Sequence, residues 1–516
     1  MVYPRQPTTF ASGTVFTSAW GNWINQKAQE FISVKDYGAT GDGSTDDTVA
    51  IQAAIAAAEA VTNTTIADPY GNIILGGGIV YFPPGIYKIS SECVISSKIS
   101  LIGHGSISSV IKVTQNSRGV TQNPVSGQYN GKQGVISNLG FLGDRTKTSQ
   151  DILNLLRPLD GNYNNIYILN AGRDGLVIRE GLACSFNSVV VYKSGRRGIS
   201  VLDGVDAFST AVPTNYPTNN CRFDECHAGW NDGPGLYLGG DGTITLGKVN
   251  GCQFVGCTFE YNYFSSSAGT GYNVEDYSTS YFGNILENTW LEATATKAHI
   301  YKQGTDVSQR LFLKRVKHTS NGAAAWPERF VINVTGQVVA DSCEGLNNLY
   351  RTVGGSNTPY RLTKATARID LINPLGSSIT NDVWVEDETN TTTGLYNNVK
   401  YNNFNTVRGP FINKLESTEI GFEGRVLGDT YSFFQLAGDK SVRMGDATAS
   451  PGFLLKATSS SEVAVNTGIL NAGGTWNASH LKLGTYHIWV DSSGRLRIKS
   501  TAPTSDTDGT VVGTQV

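Results

Sequence analysis

Charge is scarce in this 516-residue chain: Asp, Glu, Lys and Arg make up 16% of it, against about a quarter in typical domains. The formal net charge is −3 and the basic residues are scattered. Nothing therefore builds the concentrated positive footprint that nucleic acid requires. No apolar run approaches the roughly 20 residues needed to cross a bilayer, so membrane insertion is not expected. The first 30 residues lack the charged-then-apolar layout of a secretory signal. Cysteine is thin and odd in number, with seven in all, four of which repeat one spacing as Cys221/Cys226 and Cys252/Cys257. That gap lies at the long edge of four-thiolate zinc spacing. The expected reading is free, buried cysteines acting as small hydrophobes, with no metal and no cofactor.

What replaces charge is Asn, Ser, Thr and 59 glycines, a composition suited to many short strands joined by tight turns. The length exceeds one ordinary globular core, so several domains or a repeat architecture is expected. Residues 31–61 read FISVKDYGATGDGSTDDTVAIQAAIAAAEAV. A strand (Ile32 to Val34) runs into a Gly-rich turn, and Ser44 and Asp47 have capping-box spacing before a helix over about 45–60. Ile51, Ala54, Ile55 and Ala58 recur as one apolar helical stripe. GGGIVYFPPGIYKIS (76–90) then gives strand, turn and strand, and KISLIGHGS (98–106) a further strand and glycine turn.

These pieces, DYGATGDGSTDDTVAIQAAI, GGIVYFPPGIYKI and LIGHG, resemble in order and spacing the opening of the pectate-lyase-like β-helix superfamily as found in phage tailspikes and capsule depolymerases. The resemblance covers about 75 residues. It implies an all-β, single-stranded right-handed parallel β-helix with a capping helix, assembled as a homotrimer. It also implies that Asp42, Asp46 and Asp47 are structural, and that the partners are a bacterial capsular or O-antigen polysaccharide, the chain itself and a virion attachment component. The expected setting is the phage tail, acting on the bacterial surface.

A solenoid is legible independently. Segments 164–181, 186–204, 221–242, 251–276 and 284–304 each carry a strand, a small or Gly-rich corner and a second strand, as a β-solenoid requires. Overlaying them gives two polar columns. One holds Asn170, Lys193, His227, Glu260 and Glu292, each preceded by a core-facing residue (Leu169, Tyr192, Cys226, Phe259, Leu291). The other holds Glu180, Asp203, Asp241, Glu275 and Gln303. Strand alternation points the first column outward. The expected domains are a neck over 1–30, the β-helix over 31–405 and a small C-terminal β-rich domain over 406–516. In the last, YHIWVDSSGRLRIK (486–499) reads as a hairpin turning at Asp491 to Gly494.

Glycoside hydrolysis needs two carboxyls, one protonated and one ionised. Glu260 and Glu292 on adjacent rungs, about 4.8 Å apart, approach the ~5–5.5 Å of retaining enzymes. Asp241, Glu275 and Asp232 are further catalytic candidates, with Asp276, Asp203 and Asp206 behind them. Lys193, His227, Trp230, Tyr261, Tyr263 and Tyr272 are candidates for binding sugar. The alternative for every outward acid is a hydrogen-bonded ladder or a face against a neighbouring subunit. Gly103-His104-Gly105 and Arg497-Ile498-Lys499 match polygalacturonase fragments, but they lie outside that family's order and are discounted. The leading function is a tailspike that depolymerises surface polysaccharide by endo-glycosidic hydrolysis. The alternatives are a lyase using Lys193, His227 or a tyrosine as base, and a binding fibre without catalysis.

Overall fold

The structure is a computed structural model. It describes residues 31–61, 66–67, 73–74, 77–96, 98–123, 134–204, 216–240, 246–263, 271–279, 281–292, 298–305, 308–319, 329–343, 360–362, 367–372, 385–387, 399–402, 420–425, 432–437, 441–444, 453–457, 463–466, 481–483, 485–501 and 503–513. The chain divides into two compact units, the second made largely of residues 407–516.

In the first unit, short strands from successive sequence segments pair in parallel, forming a β-helix. Among the described residues its larger sheet has 20 strands and its smaller sheet 11. Segments such as Asn162–Leu169, Ser185–Tyr192, His227–Gly229, Thr258–Glu260 and Trp290–Glu292 stack in the larger sheet. Leu176–Arg179, Ile199–Leu202, Leu236–Gly239, Val274–Asp276 and Ala298–Lys302 stack in the smaller one. Rung after rung, the same side of each strand faces inward.

The interior is a set of like-on-like stacks. Tyr163, Phe186, Phe223 and Phe254 follow one another with ring centroids 4.8, 4.5 and 4.5 Å apart, close to parallel. Each such pair contributes about 0.5–1.5 kcal/mol beyond its buried area, and the stack fixes register because slipping one strand would face its rings outward. All seven cysteines are free and buried. At a corner of the interior an amide ladder replaces apolar packing. Asn231 Nδ2 donates to Asn262 Oδ1 (2.8 Å), Asn262 Nδ2 to Asn273 Oδ1 (2.8 Å), and Asn273 Nδ2 lies 3.0 Å from His299 Nδ1.

The helix spans Thr48–Ala60, and Ile51, Ala54, Ile55 and Ala58 join the core, as the stripe predicts. The capping box does not form. Asp47 is the N-cap, but its carboxylate accepts from the Thr40 (2.7 Å) and Gly41 (3.1 Å) amides, tying the Gly-rich turn to the helix start. Ser44 lies instead in the extended segment Asp42–Asp46. Asp42 accepts from Ser44 and Thr45, and Asp46 from Thr48, so all three acids have structural partners.

In the second unit, Ile420–Arg425, Ser432–Ala437, Ser441–Met444, Phe453–Ala457 and Val463–Asn466 form one antiparallel sheet. Leu481–Leu483, Tyr486–Val490, Leu496–Lys499 and Thr510–Val511 form another. The turn at Asp491 closes with Gly494 at φ 77°. Buried Arg497 donates to Asp491 (2.5 Å), so the Arg-Ile-Lys run is structural there.

Candidate functional site

The outward face of the larger sheet carries the richest group of polar and aromatic side chains. One row across the rungs is Leu169, Tyr192, Gly229, Glu260, Glu292 and Thr319. A second, two residues earlier on each strand, is Tyr167, Val190, His227, Thr258, Trp290 and Lys317. Glu260 and Glu292 are therefore true cross-strand partners on adjacent rungs. Both are partly exposed.

The upper part of the predicted column needs correction. Tyr192 pairs with Gly229, not with a core residue beside His227, so Tyr192 and Leu169 face outward. Asn170 and Lys193 fall one position beyond this row, in the left-handed conformation at φ 58° and 57°, where Trp230 and Tyr261 also sit at φ 51° and 48°. His227 belongs to the row of Thr258 and Trp290. The overlay slipped because it matched Cys226 to Phe259, whereas the two cysteine pairs themselves, Cys221 with Cys252 and Cys226 with Cys257, hold the correct offset.

Three hydrogen-bonding side chains meet over Gly229. Tyr192 Oη lies 2.9 Å from His227 Nδ1, and His227 Nε2 lies 2.9 Å from Glu260 Oε1. A Cβ on Gly229 would stand 2.9 Å from the Tyr192 ring and 3.1 Å from Glu260 Cγ. Glycine thus leaves the space in which residues from rungs two apart converge. Glu292 Oε2 accepts from Trp290 Nε1 at 3.1 Å. Burial lowers the His227 pKa, against the pull of Glu260 and Glu292. Burial, with Glu260 nearby, pushes the Tyr192 phenol up to about 12. Trp230 stacks on Tyr261 with centroids 5.0 Å apart and planes 7° from parallel, and Tyr192 leans against Trp230 at 5.4 Å. The result is an aromatic ledge beside a carboxylate pair.

The second predicted column is not one row. Glu180 and Asp203 lie beyond the ends of their paired strands, whereas Glu275 pairs with Tyr237 and Tyr301 in mid-strand. Glu180 is buried and bound by Arg157 Nε at 2.6 Å. Asp241 and Asp206 lie outside the described residues. Glu275 is buried among Tyr237, Tyr277 and Tyr301 and accepts a hydrogen bond from Tyr263. Burial pushes its pKa up to about 7. Tyr272 stacks on Tyr301 at 4.8 Å. Tyr263 and Tyr272 therefore belong to this second, covered cluster, apart from the Trp230–Tyr261 ledge. Asp276 points into the solenoid interior, 3.3 Å from the Lys302 ammonium, both fully buried. Asp232 is ion-paired with Arg145. Of the predicted catalytic residues the structure brings together Glu260 and Glu292, and of the binding residues it sets His227, Trp230 and Tyr261 beside them. Tyr192, Gly229 and Trp290 complete the group; the 31-residue offset between the cysteine pairs carried the signal for Gly229, which pairs with Glu260 at the same offset.

Comparison with known proteins shows similarity to two families. Residues 31–232 match the family "Rhamnogalacturonase A/epimerase, pectate lyase-like" and residues 261–514 match "Capsule depolymerase". Mannuronan C5-epimerase AlgE3 of Azotobacter vinelandii is 38% identical over 152 residues, 28% of this chain and 7% of that protein. Alginate lyase 7 of the same organism is 41% identical over 88 residues, 16% of this chain and 9% of that protein. The chain thus spans under a tenth of the length of these curated relatives. Among solved structures, ORF18 of Geobacillus virus E2 superposes with a TM-score of 0.53 at 19% identity, covering 93% of this chain and 87% of that one, a likeness of fold. The chain is thus similar to pectate-lyase-like proteins over residues 31–232 and to capsule depolymerases over residues 261–514, the two matches following one another in order.

Proposed function

We propose that this chain is a bacteriophage tailspike that binds and depolymerises a bacterial capsular or O-antigen polysaccharide by endo-glycosidic hydrolysis, with Glu260 and Glu292 as the catalytic carboxyls. The observation that carries the reading is their register. Two carboxyls on adjacent rungs, about 4.8 Å apart along the stack, suit a retaining displacement in which one protonates the leaving oxygen and the other attacks the sugar. The Trp230–Tyr261 ledge supports it, since flat aromatic faces stack on the apolar faces of sugar rings. The capsule depolymerase match over residues 261–514 supports the substrate class. Asp232 and Glu275 have structural partners here, and Asp241 remains a further carboxyl candidate of the same proposal. Lys193, exposed one position beyond Tyr192, would meet an anionic sugar unit. Assembly as a homotrimer on a virion attachment component belongs to the same reading.

One observation favours β-elimination as the second reading. Tyr192 and His227 are hydrogen-bonded to each other, a pair able to abstract the proton α to a uronate carboxylate. Against it, the group they adjoin carries two carboxylates, which repel a uronate. Size-exclusion profiling of capsular polysaccharide before and after incubation decides the matter when near-ultraviolet absorbance of the products is recorded. Shortened chains without new absorbance are expected. Shortened chains with the absorbance of an unsaturated sugar would establish elimination. Chains left intact across a broad capsule panel would leave a binding fibre.

A further inference from the structure

The two carboxyls of the pair are not equivalent, and the difference lies in what each accepts. Glu260 faces His227 Nε2 at 2.9 Å, and the Tyr192 hydroxyl lies against the same ring, 2.9 Å from Nδ1 and 3.2 Å from Nε2. Burial lowers the His227 pKa and so favours the neutral ring, which carries one N–H. If that proton sits on Nε2, it is donated to Glu260, and Nδ1 is free to accept the Tyr192 hydroxyl. Both contacts are then satisfied. The opposite tautomer would set a bare ring nitrogen against a carboxylate oxygen. Among the described residues Glu292 accepts from the indole of Trp290, through Nε1, and it stands one rung from a charge already held in place. A second negative charge at that distance is disfavoured.

Resting on the proposed hydrolase reading, we propose that Tyr192 and His227 are positioning residues that hold Glu260 as the ionised member of the pair, leaving the catalytic proton on Glu292. Gly229 is the device that permits it. It lies between Tyr192 and Glu260 in the row, and a side chain there would crowd the Tyr192 ring and Glu260 Cγ. Glu260 is then the nucleophile and Glu292 the acid. Glu260 forms the bond to the anomeric carbon as the glycosidic C–O bond breaks, and the leaving oxygen takes the Glu292 proton. Water then cleaves the glycosyl ester and returns a proton to Glu292. The other titratable groups around the pair are Tyr167, Tyr261, and Lys193 and Lys317 at the margins of the rows.

The test is a carboxyl 13C titration of protein carrying labelled glutamate, followed alongside the pH profile of depolymerisation. Glu260→Gln and Glu292→Gln assign the two signals. The Glu260 signal is expected to titrate at the lower pH. His227→Ala is expected to raise it by about one pH unit, a tenfold change in its ionisation equilibrium, and to move the acidic limb of kcat/KM with it. His227→Gln, which keeps an N–H donor, is expected to restore most of the shift, and Tyr192→Phe to give a smaller shift in the same direction. The reversed order of titration, or an unmoved Glu260 signal in a folded His227→Ala variant, would overturn the assignment. The underlying reading fails separately, if Glu260→Gln and Glu292→Gln both leave depolymerisation intact.

Discussion

The larger and smaller sheets of the same rungs carry acids of opposite fate. On the larger sheet Glu260 and Glu292 are partly exposed, Glu260 lies 2.9 Å from His227 Nε2, Glu292 accepts from Trp290 Nε1, and both stand beside a flat aromatic ledge. On the smaller sheet Glu275 is covered by tyrosines and Asp276 is enclosed with Lys302. Both sheets are parallel stacks with the same spacing, so the backbone does not decide the difference. What decides it is what covers each face: solvent and a ledge in one case, aromatic side chains in the other. An acid that substrate cannot reach serves the fold, whatever its pKa. A raised pKa alone would point to Glu275, whereas access supports the proposed pair, Glu260 and Glu292.

The largest expected effect is on activity. Glu260→Gln and Glu292→Gln should each lower depolymerisation by about 10²–10⁴-fold with the melting temperature unchanged, whereas Glu275→Gln should leave turnover within a few-fold. Loss of turnover in the Glu275 variant alone would reverse the comparison. Next comes the enclosed pair. Lys302→Met strands the Asp276 carboxylate in the interior, and breaking one side of a buried pair costs about 3–5 kcal/mol. Thermal unfolding should show that loss, and Asp276→Leu combined with Lys302→Met should recover most of it.

A pH dependence sharpens the contrast further. The folded pKa of Glu275 is raised from its ordinary 4.5 to about 7, so the native chain holds a proton that the unfolded chain has released. The associated stability is fully present below pH 4.5 and is lost as pH rises through 7. The wild-type melting temperature should therefore fall across that window relative to Glu275→Gln, which has no proton to lose. Equal slopes would show that Glu275 is not enclosed as described. The smallest effect is expected on the ledge: Trp230→Ala should raise KM about two- to tenfold, matching one aromatic contact, with kcat largely kept.

Much of this architecture was legible in the sequence. The apolar stripe of Ile51, Ala54, Ile55 and Ala58 gave the helix, and the strand–corner–strand repeat gave the β-helix. The Glu260–Glu292 pairing followed from two rungs of nearly equal length. Register failed where rungs changed length, between Tyr192 and Gly229, because polar residues were aligned by their apolar neighbours. Left-handed residues inside the strands, Asn165 and Ser188, break strand alternation, and simple alternation therefore misplaces Tyr192. The enclosure of Glu275 and Asp276 was illegible for another reason. It depends on tyrosines and a lysine from neighbouring rungs, whose pairing is set by the same uncertain loop lengths.

The measurement that bears most directly on the carboxyl pair is the anomeric configuration of freshly released reducing ends, followed by proton NMR during depolymerisation. Carboxyls on adjacent rungs predict products with the configuration of the bond that was cut, mutarotating only afterwards, and no unsaturated sugar. Inverted products, or unsaturated ends, would contradict a retaining displacement by Glu260 and Glu292.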